Sequence, residues 1–169
     1  MDHEPEEEFA EFYQRARDGC LRAVYASVGD RALAEDLTSE AFARAYASWP
    51  KVSKHPAPRA WVVRTALNAH VSWWRRRRRE VAWDSGLDVA DAATGGLTLD
   101  PALLAALRAL PARQLEVLVL RIFLDLDTET TARELGIAPG TVTAHLSRAT
   151  STLRGSLALD TDKKQEPVS

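Results

Sequence analysis

The chain has 169 residues, 46 % of them hydrophobic and 27 % charged, with formal net charge −2, which is enough for one ordinary domain or two small ones with folded cores. Its single cysteine, Cys20, excludes an internal disulfide framework and a cysteine-rich zinc site, and no apolar run approaches the ~20 residues of a membrane span. The acidic start Met1-Asp-His-Glu-Pro-Glu-Glu-Glu is the opposite of a basic secretory leader, so no membrane insertion and a cytoplasmic location are expected.

Residues 1–5 are expected to form a tail. From Glu6 to about Val28, Phe9, Phe12, Tyr13, Ala16, Cys20, Val24 and Tyr25 recur at three- and four-residue steps, which predicts an amphipathic helix with Cys20 as a small core residue. Gly29 breaks it, and Asp30 caps a second helix from about Arg31 to Trp49 that Pro50 ends. Its predicted buried stripe is Ala34, Leu37, Ala41, Phe42, Ala45 and Trp49. Asp36, Ser39, Glu40, Ala43 and Arg44 are left on the other side, where the acids suit a docking face better than an acid/base pair.

Lys51 to Pro58 then reads as a basic, proline-stiffened loop, with Pro58 opening a third helix. Trp61, Val62, Thr65, Ala66, Ala69 and Trp73 keep the helical period, with Trp61 expected in the core. Two tryptophans and five arginines follow, Trp73 to Arg79. Between Lys51 and Arg79 the chain carries nine Lys/Arg and no acid, a local +9 against −11 for the remainder. One or two such arginines would only complement a helix C-terminus, but five beside two tryptophans point to a polyanion, and nucleic acid is the favoured partner.

From Val81 to Leu99 the periodicity fades among Gly86, Gly95 and Gly96, which predicts a linker and a domain boundary. Asp100-Pro101 caps a short helix over Ala102–Ala109. A second runs from about Ala112 to Leu124 with Leu115, Leu118, Val119, Ile122 and Phe123 as its stripe. After the turn Asp125-Leu-Asp127, Thr128–Leu135 forms a third that ends at Gly136, and Pro139 opens a fourth reaching about Leu157. Residues 159–169 are expected to be disordered. No strand pattern occurs, so the predicted fold is all-α, two small helical domains at 6–80 and 100–158 joined by a linker at 81–99.

Residues 128–149 fit a helix-turn-helix. Ala132 is small where the helices cross, Gly136 supplies positive φ, and Leu135, Ile137, Val142 and Leu146 pack the pair. Pro139, Gly140, Thr141, Thr143, Ala144, His145, Ser147 and Arg148 then stand on or beside the outer face, and no acid occurs from Leu135 to Leu159. Such a face can approach phosphates and base edges in a major groove. His55, His70 and His145 have no partners at metal or catalytic spacing, so no metal, cofactor or catalytic site is expected, and an enzyme is the least favoured class.

The order of these motifs resembles an extracytoplasmic-function sigma factor of the sigma-70 family, of the SigE-like actinobacterial type. The first half is similar to region 2 through Gly29-Asp30, Ala34-Glu35-Asp36-Leu37, Glu40-Ala41-Phe42, Arg59-Ala60-Trp61, Asn68 and Ser72-Trp73-Trp74-Arg75. The second is similar to region 4 through Leu110-Pro111, Arg113-Gln114, Glu116-Val117-Leu118, Leu135-Gly136-Ile137 and Gly140-Thr141-Val142. The resemblance implies bacterial RNA polymerase core and promoter DNA as partners, with an anti-sigma factor as a further candidate. It assigns core docking to Asp36, Ser39, Glu40, Ala43 and Arg44. It assigns the −10 element to Lys51, Lys54, His55, Asn68, Ser72, Trp73, Trp74, Arg75, Arg76 and Arg78. The −35 element falls to Arg113, Pro139, Gly140, Thr141, Thr143, Ala144, His145 and Arg148.

Ser39 stands where the family commonly has Gln, Ser72 where it has Asp, Ala138 where it has a capping Ser, and Thr143 and His145 where Lys or Arg is frequent. The competing function is a helix-turn-helix transcriptional regulator acting without entering the polymerase, since residues 110–153 also resemble response-regulator output domains. That reading leaves residues 1–80 unexplained. A membrane-surface adaptor anchored by the Trp-Arg block is disfavoured because the block is short and continues a packed helix.

Overall fold

The computed structural model describes residues 3–80 and 98–165, with the backbone alone for 72–80. Every regular element among the described residues is helical, and the chain divides into two compact units, one up to Gly96 and one from Leu97. The all-α expectation therefore holds. The expected linker at 81–99 lies outside the described residues apart from Thr98 and Leu99.

In the first unit α1 (His3–Val28) begins ahead of its apolar pattern, with Glu4 and Glu6 in the first turn, where the helix dipole favours anions. Residues 3–5, expected as tail, are thus helical. Gly29 turns the chain at φ 76°, and the Asp30 carboxylate accepts the Leu33 N–H at 3.0 Å to cap α2 (Arg31–Ala47). This helix buries Ala34, Leu37, Ala41, Phe42 and Ala45, together with Thr38, and Trp49 is buried just beyond it.

Pro50 does not end this helix. The chain leaves it at Ser48, and Pro50 sits inside a single turn, α3 (Trp49–Val52). A proline lacks an N–H, but the first turn of a helix has no intrahelical use for one, so Pro50 opens the next turn rather than closing the last. The basic stretch expected as a loop therefore starts helically, with Lys51 in α3.

Pro58 occupies the first position of α4 (Pro58–Glu80). Its buried side is Ala60, Val62, Val63 and Ala66, while Trp61 is only half-buried, which corrects the expectation that Trp61 belongs to the core. The reason is proximity to α1. The Cys20 thiol donates to the Arg59 carbonyl at 3.8 Å, and α1 offers the buried small residues Ala16, Ala23 and Ala26 to this core. Helices that approach closely admit alanine and valine between them and displace an indole to the edge.

The other end of α1 is fastened by rings. Phe12 lies 5.9 Å from Phe42, Tyr13 meets Phe42 edge-on at 5.0 Å, and Phe9 meets Trp49 edge-on at 5.3 Å. Two acids of the first turns finish the joint, Glu6 accepting from the Tyr46 hydroxyl and Glu8 from Trp49 Nε1, each at 3.3 Å. A buried indole N–H needs such an acceptor.

In the second unit Asp100 accepts the Ala102 N–H at 2.7 Å and Pro101 opens α5 (Pro101–Arg108). Next comes α6 (Ala112–Leu118), which widens into a π-helical turn over Val119–Phe123, with the Leu124 N–H bonded to the Val119 carbonyl at 3.1 Å, five residues back. This turn overrides the expected stripe. Val117, Leu118, Val119, Leu120 and Leu124 are buried, whereas Ile122 is 61 % exposed and Leu115 and Phe123 are half-buried. Widening the ladder from i+4 to i+5 rotates every later side chain away from the 3.6-residue phase.

Asp125 follows at φ 51°, and the Arg121 guanidinium holds the turn by donating to the Leu126 carbonyl. Asp127 caps α7 (Thr128–Leu135) by accepting the Thr130 N–H at 2.7 Å. That bond, reinforced by the Thr130 hydroxyl, holds its carboxyl below the usual carboxylate range. Gly136 ends α7 in the left-handed region at φ 65°.

The last helix, α8 (Pro139–Gln165), is longer than its pattern predicted. Residues 160–165 were expected to be disordered, yet they continue the helix. The Thr161 hydroxyl bonds the Leu157 carbonyl at 3.0 Å, and Asp160 pairs with Lys164 at 3.4 Å. No glycine or proline falls between Ser156 and Gln165, and lysines in the last turn complement the dipole.

Candidate nucleic-acid interface

The helix pair α7 and α8 in the second unit is packed as its residues predict. Val117 of α6, Ala132 of α7 and Val142 of α8 are buried together, with Leu135, Ile137 and Leu146 packed around them. With that side consumed, Pro139, Gly140, Thr141, Thr143 and Arg148 are exposed and Ala144 and His145 half-buried. The first turn of α8 has no side-chain acceptor from Ala138. The Thr141 and Val142 N–H groups bond the Ala138 carbonyl at 3.0 and 3.1 Å. His145 Nδ1 is buried without a hydrogen-bond partner, so any contact to DNA falls to the rest of the ring. Arg113 stands on α6, exposed, its guanidinium 3.0 Å from Glu116, an ion-pair partner that the sequence reading did not identify. Pairs this exposed are weak and exchange readily for a phosphate.

On the first unit, Lys51 and Lys54 are exposed around α3, and Asn68 is exposed on α4. His55 is half-buried, and its Nδ1 accepts the Ala57 N–H at 3.0 Å, so one ring nitrogen shapes the turn into α4. Ser72, Trp73, Trp74, Arg75, Arg76 and Arg78 lie on the helical backbone of α4, and their side chains are outside the described ones. The basic stretch thus enters a helix that continues through Glu80.

The third face is on α2. Asp36, Ser39, Glu40, Ala43 and Arg44 are all exposed. Glu40 pairs with Arg44 at 2.7 Å and Glu35 with Arg31 at 3.1 Å. Asp36 and Ser39 border a groove of about 320 Å³ between α1 and α2, walled by Tyr13, Arg17, Thr38 and Phe42. The Arg17 guanidinium lies 6.0 Å from the centre of the Tyr13 ring. Tyr13 was expected only as part of the apolar repeat of α1, and Arg17 carried no expectation. Only the pairing of α1 with α2 brings them beside Asp36.

Comparison with known proteins follows the same division. The family model described as Sigma-70 region 2 matches residues 12–80, and that described as Sigma-70, region 4 matches residues 101–153. The RNA polymerase sigma-E factor of Streptomyces coelicolor is 34 % identical over 160 residues, covering 93 % of this chain and 90 % of that one. A sigma-E factor of Streptomyces avermitilis is 34 % identical over 154 residues, 89 % of this chain and 85 % of the relative. Among solved structures, the sigma factor RpoE in complex with the anti-sigma factor NepR from Bartonella quintana superposes with TM-score 0.73 at 24 % identity, over 91 % of this chain and 99 % of that one. CnrH in complex with the cytosolic domain of CnrY gives TM-score 0.64 at 20 % identity, over 92 % and 90 %.

Proposed function

Because this chain belongs to the sigma-70 family, as an extracytoplasmic-function RNA polymerase sigma factor, we propose a division of its surfaces among the polymerase, the −10 element and the −35 element. The observation that carries the reading is the presence of both regions, in this order, on one chain. A regulator working without the polymerase would need no region 2, and that alternative is not favoured.

In this reading Asp36, Ser39, Glu40, Ala43 and Arg44 dock on core polymerase, with the adjoining α1–α2 groove at the edge of the contact. Lys51, Lys54, His55, Asn68 and the run Ser72–Arg78 engage the −10 element. Cations there hold the strand while planar groups stack on unpaired bases, each worth ~1–3 kcal/mol. Arg113 fixes register on the −35 backbone, and the exposed start of α8 reads the groove. The chain supplies binding and positioning, and the bond-making belongs to the polymerase. Its place of work is the cytoplasm, with the chromosome. Among the described residues no helix is long and apolar enough to cross a membrane. Two solved proteins of this fold are bound to CnrY or to the anti-sigma factor NepR, and we extend an anti-sigma partner class to this chain.

Runoff transcription tests the assignment. Core polymerase with the purified chain is expected to start at discrete sites on genomic templates where core alone does not. Glu40→Lys together with Asp36→Lys is expected to abolish this without unfolding the chain, because both side chains are exposed. Tight duplex binding by the chain alone, with no polymerase binding, would favour the regulator instead.

A further inference from the structure

Two threonines at the start of α8 sit two residues apart, both exposed, and their hydroxyls have different fates. The Thr143 hydroxyl donates to the Pro139 carbonyl at 3.2 Å, four residues back along the helix. The Thr141 hydroxyl makes no hydrogen bond to the described residues. The residue four before it is Ile137, which precedes α8. Threonine in a helix chooses between rotamers according to whether its oxygen takes such a carbonyl. With the oxygen of Thr143 turned back onto the helix, its staggered partner on Cβ, the methyl, is the group left for the outer side. Thr143 is therefore an apolar contact in polar guise. On its N-terminal side Pro139 and Gly140, and next to it Ala144, present no polar side chain, while the exposed Ser147 lies one turn further along the same face.

In the major groove the 5-methyl of thymine is the apolar mark that such a side chain recognises. We propose that Thr143 is a specificity-determining residue of the −35 site, selecting a thymine by methyl-to-methyl contact, while Thr141 supplies the free hydroxyl that bonds the DNA beside it. The inference rests on the reading of α8 as the −35 helix. It replaces the long-range pull of a Lys or Arg at this position with a short-range contact that senses base identity.

The test uses the full chain with core polymerase and a duplex library randomised across the −10 and −35 segments. The duplex that enriches is remade with each −35 thymine replaced in turn by uracil, which removes only the methyl. At one position uracil is expected to weaken binding about fourfold, the effect of one methyl group. Thr143→Val keeps the methyl and should retain that discrimination. Thr143→Ser keeps the helical hydrogen bond and should lose it. For Thr141 the pattern inverts: Thr141→Ser should bind as wild type and Thr141→Val about tenfold more weakly. If uracil costs nothing at any position, or costs wild type and Thr143→Ser equally, the methyl assignment is overturned while α8 remains the −35 reader. If no −35 sequence enriches and Arg148→Ala binds as wild type, the −35 reading fails and takes this inference with it.

Discussion

Residues in this chain are used in ways their chemistry alone does not announce. Cys20 is fully buried between α1 and α4, and burial pushes its thiol up to about 12 against an ordinary 9.0, with the Arg59 charge opposing. A thiol so raised is not a nucleophile. Native protein is expected to leave a maleimide unreacted at pH 8 until denaturant is added; labelling at the rate of a free thiol would contradict the burial. The linkage has a definite sign. The folded value lies above the unfolded one, so the contribution of this group to stability is complete below pH 9 and is lost as pH rises from 9 towards 12. The Cys20 position was legible as core from its place in the apolar repeat. The distinction between Thr141 and Thr143 was not, because it depends on which backbone carbonyl lies four residues back, and that is fixed by where α8 starts.

At the level of elements, helix caps were the clearest signal. Asp30 and Asp100 cap where aspartate followed by a helical pattern said they would, and Gly136 takes the left-handed conformation its position demanded. The apolar stripe of α2 was legible, with all six expected residues buried, but Thr38 joins it unannounced and Trp49 lies past the end of the helix. The stripe of α4 was misjudged, since hydrophobicity promoted Trp61 while the closeness of α1 and α4 selected smaller residues. The stripe of α6 failed for a different reason: an i→i+5 turn has no compositional mark, so nothing in Val119–Phe123 warned of a change of phase. The expectation is correspondingly sharp. In denaturant unfolding followed on the second unit, Ile122→Ala should change stability by no more than about 0.5 kcal/mol. Leu124→Ala should cost roughly 2–5 kcal/mol. A straight α-helix through Phe123 would give Ile122 the larger loss.

For the whole molecule, what matters is where charge is gathered. A chain of net charge −2 carries +9 between Lys51 and Arg79 and −11 elsewhere, so positive charge is gathered locally, and the acid-free stretch from Leu135 to Leu159, with Arg148 and Arg154, is a second part of the chain that a polyanion can approach. This asymmetry was plain in the sequence, as was the division into a region 2-like and a region 4-like half. The groove of Tyr13 and Arg17 beside Asp36 was not, because it exists only once two helices meet. Replacing Arg75, Arg76 and Arg78 by alanine should lower promoter opening and flatten the slope of log affinity against log salt by roughly 2, at ~0.7 per phosphate contact on a single strand. An unchanged slope would remove the block from the DNA contact.

One helix, α8, runs without a break from the residues assigned to the −35 element to Gln165, a rod of about 40 Å. It is clamped near its start, where Val142 and Ala149 are fully buried, and beyond Leu157 all but Asp160 of its described residues are exposed. Such a member behaves as a cantilever. A load applied at the far end acts on the clamp with the whole length as its arm, so leverage on the packed first turns is available to anything that grips the protruding ones.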